Sequence, residues 1–243
     1  MKTSNYWIGH FKANALEKRV NWELAPNITS EEKKTILKDL QAWQLGETSE
    51  GKHLLAASTL YANKIGDTAY IDAVKLFIKE EQKHGNNLGR YLDIICEPRI
   101  KKNWGDTLFR KIRYFNTNME IWTLAVIIVE STAQIFYQSL KHATQCELLQ
   151  QICNDILIDE AYHITFQTDR LAIIFEHKSE FSKAWRKTAY KYFFYATACL
   201  VWFAHNTVFK AGGNTFAGYL NKMRLKYNKT LLRITAAEDL LWV

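Results

Sequence analysis

Two stretches of this 243-residue chain each set a glutamate three residues before a histidine: Glu81 before His84, and Glu160 before His163. On a helix that spacing projects a carboxylate and an imidazole from one face about one turn apart, which is a metal-ligand geometry. A third pair, Glu50 with His53, has the same spacing. Unrelated placement of the Glu and His residues would give roughly half of one such pair, so three is an excess.

Each of the first two motifs must be carried by the second helix of a helical hairpin. In the first hairpin the turn signal is Lys64-Ile65-Gly66-Asp67, with Gly66 as helix stop and Asp67 as the next N-cap. Glu50 and Glu81 lie about equally far from that turn and are expected to meet at one level of an antiparallel pair. In the second hairpin the turn falls near Ala143-Thr144-Gln145, and Glu130 and Glu160 are again placed symmetrically. Glu130 lies within the apolar run Leu124 to Ala133, where a carboxylate is costly unless paired or bound to metal. Glu47, one turn before Glu50, competes for the first carboxylate position; symmetry about the turn selects Glu50. His53 reads as a partly buried neighbour rather than a ligand.

Taken in order as Glu, Glu-x-x-His, Glu, Glu-x-x-His from four helices, this set resembles that of the ferritin-like di-iron carboxylate superfamily over residues 45–176. The resemblance implies an all-α fold: a ferritin-like four-helix bundle with a long crossover, plus additional N-terminal and C-terminal helices. It also implies metal ligation by Glu50, Glu81, His84, Glu130, Glu160 and His163. Such a donor set suits iron or manganese rather than a thiolate-loving metal, giving two iron ions as the expected cofactor, with Mn/Fe or Mn as variants.

The composition agrees with this. Hydrophobic residues make up 48% of the chain, and two prolines and ten glycines leave room for long helices. The chain reads as one domain over residues 1–243, with residues 177–243 a helical extension packed on the bundle core. Thr29 to Glu32 has capping-box spacing at the start of a short helix that leads into a bundle helix over 45–64. Further helices are expected over 68–95, 117–142 and 147–176, with a basic, aromatic crossover from Arg99 to Tyr114. The segment Tyr192 to Phe209 carries no charge and is expected to form a fifth helix packed on the bundle. Tyr137, on the face of Glu130, reads as structural, and His205 as a packing residue. No signal peptide is visible at the start, and the four cysteines lack Cys-x-x-Cys spacing, which fits a cytoplasmic chain with reduced thiols. The net charge of +7 is concentrated between Lys178 and Arg233, where eleven Lys or Arg face one acid, Glu180. The basic crossover reads as connection, not as a nucleic-acid site.

The superfamily resemblance implies a non-haem di-iron oxidoreductase: an oxidase or monooxygenase that uses dioxygen and an external electron donor on a small, largely apolar organic substrate. In length and helix pattern the chain is also similar to aldehyde-deformylating oxygenases, which place an acid before the last motif's Glu, as Asp159 precedes Glu160. It departs from the arylamine N-oxygenase subgroup at Ile156, where those enzymes carry a further His. The alternative is a ferroxidase or iron-handling protein without organic substrate. The basic C-terminal region could dock an acidic carrier protein or a membrane surface, and a homodimer is compatible with the sequence.

Overall fold

A computed structural model of the chain describes residues 1–105, 107, 118–176 and 178–239. The architecture is all-α, with no strand among the described residues. Helix α1 (Ser4–Asn14) leads in, followed by α2 (Ser30–Glu47), α3 (Lys52–Ile65) and α4 (Ala69–Ile94). After the crossover come α5 (Met119–His142), α6 (Glu147–Glu176), α7 (Glu180–Ala211) and α8 (Phe216–Asp239). Half of the expected crossover, including Phe109, Arg110, Lys111, Arg113 and Tyr114, lies outside the described residues, as does the expected helix start at Thr117.

The bundle pairs α2 and α3, end to end, with α4, and α5 with α6; α1 packs on α4, while α7 lies against α5 and α2 and α8 against α6 and α5. The expected capping box is present: Thr29 Oγ1 accepts from the Glu32 amide, and the Glu32 carboxylate accepts from the Thr29 amide at 2.8 Å. Buried apolar side chains of α5, from Trp122 through Ile128 to Leu140, explain why it is the helix among the described residues with the length and apolarity to cross a membrane. Here that surface is covered by the neighbouring helices.

Three expectations need correction. The bundle helix expected over 45–64 is two helices, broken at residues 48–51. Thr48, Ser49 and Gly51 favour caps and turns over helix interiors, and the break seats Gly51 at φ 66°. The N-cap of α4 is Thr68 rather than Asp67, one residue earlier; the Asp67 carboxylate accepts from Arg170 Nη2 at 2.8 Å and Ser4 Oγ at 2.7 Å, and against burial these two and the Tyr70 amide hold it below its ordinary range. His205 is more than packing: it leaves helical geometry at φ −127°, ψ 22°, kinking α7, and its Nδ1 lies 2.9 Å from Asp39 Oδ1. The stop at Gly212 is dictated by contact, because a Cβ there would lie 2.4 Å from the Ser139 carbonyl oxygen on α5.

Gly51 is the more consequential glycine. A Cβ there would meet the Ile78 side chain at 2.6 Å as well as a left-handed backbone. Gly51→Ala is therefore expected to destabilise the protein by about 1–3 kcal/mol, measurable by urea unfolding. A neutral result would mean that residues 48–51 tolerate another path.

Candidate metal centre

The interior of the bundle brings six ionisable groups to one place. Glu47 ends α2, Glu81 and His84 project from α4, Glu130 from α5, and Glu160 and His163 from α6. They form two overlapping groups, Glu47, Glu81, His84 and Glu160, and Glu81, Glu130, Glu160 and His163, with candidate donor atoms within 4.8 Å of one another in each. Glu81 and Glu160 belong to both. Five of the six residues expected from the sequence are thus brought together.

Glu50 is not. It stands in the α2–α3 break, 72% exposed at its side chain, with Oε2 2.5 Å from Lys52 Nζ. Glu47, the competitor one turn earlier, occupies the cluster because α2 ends there, so symmetry across a continuous helix was the wrong ruler. The signal lay in Thr48-Ser49-Glu50-Gly51 itself, a poor stretch for helix. His53 is exposed and lies at the rim of the adjoining cavity.

The polar atoms of the cluster converge without satisfying one another. Glu81 Oε1, His84 Nδ1, both oxygens of Glu160 and His163 Nδ1 are buried with no aligned hydrogen-bond partner. His163 Nδ1 lies 2.7 Å from Glu81 Oε1 and 3.6 Å from Glu160 Oε2, and His84 Nδ1 lies 3.7 Å from Glu160 Oε1. Burial of bare carboxylates and imidazole lone pairs at this density is costly. Two cations would satisfy them, with Glu81 and Glu160 shared, so the donor set fits a di-metal site.

Without a cation the charges respond as electrostatics requires. Burial, then the neighbouring Glu81 and Glu160, pushes Glu47 well above the carboxylate range, against the hydrogen bond from Tyr137. Burial, Glu160 and Glu81 do the same to Glu130. Burial pulls His163 down, but Glu81, Glu160 and Glu80 outweigh it and hold the ring well above its ordinary value. For Glu81 burial is likewise outweighed, here by His163 and His84, and the carboxyl is lowered.

The outer nitrogen of each histidine is held by the acid that precedes the opposite motif. His84 Nε2 lies 3.0 Å from Asp159 Oδ2, and His163 Nε2 lies 2.7 Å from Glu80 Oε2. The two helices brace each other crosswise. An accepting carboxylate places the ring proton on Nε2 and leaves the Nδ1 lone pair aimed inward. The doubled pattern acid-Glu-x-x-His, present in both motifs, was the sequence signal for this brace; Glu80 was missed because a second charge beside Glu81 reads as solvated.

Both outer acids share one clamp. The buried amide of Asn14, at the end of α1, donates from Nδ2 to Asp159 Oδ1 at 2.8 Å and to Glu80 Oε1, and its oxygen accepts from Arg19. Arg19 Nη1 donates to Asp159 at 2.8 Å, and Lys83 Nζ to Asp159 at 2.6 Å. Burial opposes ionisation of Asp159, but His84, Lys83 and Asn14 together hold its carboxyl far below the usual range. On the other flank Tyr137, fully buried, donates from its hydroxyl to Glu47 Oε1 at 2.6 Å, the satisfied hydroxyl expected of a structural tyrosine, here directed to a member of the cluster.

A cavity of about 480 Å³ reaches the cluster from the side of the α2–α3 break. Its walls include Trp43, Phe77, Trp122, Val126 and Val201, and its floor includes Glu47, Glu81 and Glu130. His205, at the kink of α7, stands in its wall.

No protein-family model matches the chain, and no curated protein matches its sequence. Among solved structures the chain is similar to mutants of an R2-like ligand-binding oxidase. One, with an aerobically reconstituted Mn/Fe cofactor, is 14% identical with a TM-score of 0.65, over 96% of this chain and 93% of that one. Another, also with aerobically reconstituted Mn/Fe, is 13% identical with a TM-score of 0.71, over 96% and 97%. At this identity the likeness establishes the ferritin-like helical fold.

Two outcomes are expected. The folded-state pKa of Asp159 lies below its unfolded value, so its contribution to stability is full above about pH 4 and is lost as pH falls further. Asp159→Asn should therefore lower stability at neutral pH and flatten the acid limb of a urea-derived stability curve; an unchanged limb would contradict the brace. Asn14→Ala should weaken both steps of a metal titration by about 10- to 100-fold, whereas Asp159→Asn should weaken chiefly one. Equal effects on both steps in the two variants would refute a shared clamp.

Proposed function

We propose that this chain is a non-haem dinuclear oxidase that uses dioxygen to oxidise a small, largely apolar organic substrate. The observation that carries this reading is the cavity: an apolar chamber whose floor is made of the cluster's own carboxylates. Glu47 and His84 would hold one ion, Glu130 and His163 the other, and Glu81 and Glu160 both, with Glu47 in the place the sequence offered to Glu50. Two iron ions, or the Mn/Fe pair that the similar structures carry, would supply dioxygen reduction and the oxidising equivalents. The electrons needed to reset such a centre come from an external donor, and the chain's compartment is proposed to be the cytoplasm.

The protein's own part follows from its side chains. Trp43, Phe77, Trp122 and Val126 exclude water from the floor of the cavity and make it receptive to an apolar body. The outer acids keep the proton of each histidine at Nε2. Tyr137 Oη holds Glu47 Oε1 by a proton-donating bond, fixing the carboxylate that lies beside the helix break. Carboxylates on both sides of the centre allow charge to be shared as the metals change state.

A purely iron-handling role requires no apolar chamber, so the cavity favours an organic substrate. The basic C-terminal region is compatible with delivery of that substrate on an acidic carrier protein.

The test is metal content after anaerobic iron reconstitution, followed by rapid mixing with dioxygen. About two irons per chain are expected in the wild type, with a transient visible absorption band. Glu130→Ala and Glu47→Ala should lose or halve the metal, and Glu50→Ala should retain it. Full loading in Glu47→Ala would return the first position to another carboxylate, and no stoichiometric metal in the wild type would remove the oxidase reading.

A further inference from the structure

Helix α7 packs one side on the bundle and leaves the other without a partner among the described residues. Four large aromatic side chains stand on that outer side: Phe181 at 85% exposed, Trp185 at 67%, Tyr192 at 73% and Phe203 at 67%. At 100° per residue their positions fall within an arc of roughly 40°. The intervening outward positions Thr188, Ala189, Ala196 and Leu200 are exposed and uncharged. A continuous apolar stripe of this kind marks an interaction surface rather than scattered exposure.

The stripe is flanked by positive charge. Lys191 and Lys210 are exposed on α7, and α8, packed beside it, adds exposed Arg224. Over Lys178 to Arg233 the balance is eleven bases to one acid. A two-fold contact through this surface would set two such regions against each other, which like-charge repulsion disfavours. An anionic lipid surface complements both features, since Trp, Tyr and Phe settle at the headgroup boundary and Lys and Arg meet the phosphates.

We propose that the outer face of α7 docks the protein on an anionic phospholipid membrane. The same helix forms a wall of the cavity through Thr197, Val201 and Ala204, and Leu200 belongs to both the stripe and the cavity lining. A docked molecule therefore holds its apolar chamber next to the bilayer, the reservoir of apolar substrates. That delivery role rests on the oxidase reading, but the docking does not, and its test requires neither metal nor dioxygen.

The experiment is co-sedimentation of the metal-free protein with phosphatidylcholine vesicles, with and without phosphatidylglycerol. Binding to the anionic vesicles is expected to be at least about tenfold tighter and to weaken as salt is raised. The double variant Trp185→Ser with Tyr192→Ser should bind about tenfold more weakly at unchanged helical circular dichroism. Should that variant misfold, Lys191→Glu with Lys210→Glu decides, because anionic-vesicle binding unaffected by it overturns the proposal. Absence of vesicle binding in the wild type overturns it as well. So does sedimentation-detected self-association that Trp185→Ser abolishes, which would assign the face to a second copy.

Discussion

Four carboxylates and two imidazoles packed into the dry centre of a helical bundle are the constraint on which the rest of this molecule depends. Each would individually be too costly to bury, and burial, joined by repulsion from Glu81 and Glu160, already drives Glu47 and Glu130 toward the protonated form. Only cations at the convergence of their free atoms relieve both costs together. The apolar core then becomes an advantage, because low dielectric strengthens the hold of carboxylate on metal.

Holding six donors in register requires that helices not slide. The crosswise contacts of Asp159 with His84 and Glu80 with His163 tie α4 to α6 at the height where sliding would matter most. Asn14 ties both contacts to α1. A primary amide suits this place because it offers two donors to two anions and an acceptor to a guanidinium. An aspartate there would add a third negative charge, and an alanine would leave two buried acids short of a donor.

Much of this was legible in the chain. Helix spacing within Glu-x-x-His is local, so α4 and α6 and their inward faces could be placed from periodicity, and Glu130 announced itself by its apolar surroundings. Glu47 could not be separated from Glu50 in the same way. The choice turns on where α2 stops, and helix ends depend on contacts such as Gly51 against Ile78 that are distant in sequence. Asn14 and Arg19 were invisible for a related reason: their partners lie more than sixty residues away, apart from each other. The kink at His205 likewise answers to Asp39 across the molecule.

The two interruptions, at residues 48–51 and at His205, have a joint consequence. Both border the cavity, whereas α4, α5 and α6, which carry five of the six donors, run unbroken. The chamber is therefore bordered by both interruptions, and its size can change there while those five donors stay fixed. Under the proposed function, changes in those segments alone would alter what the chamber admits and leave those five donors in place.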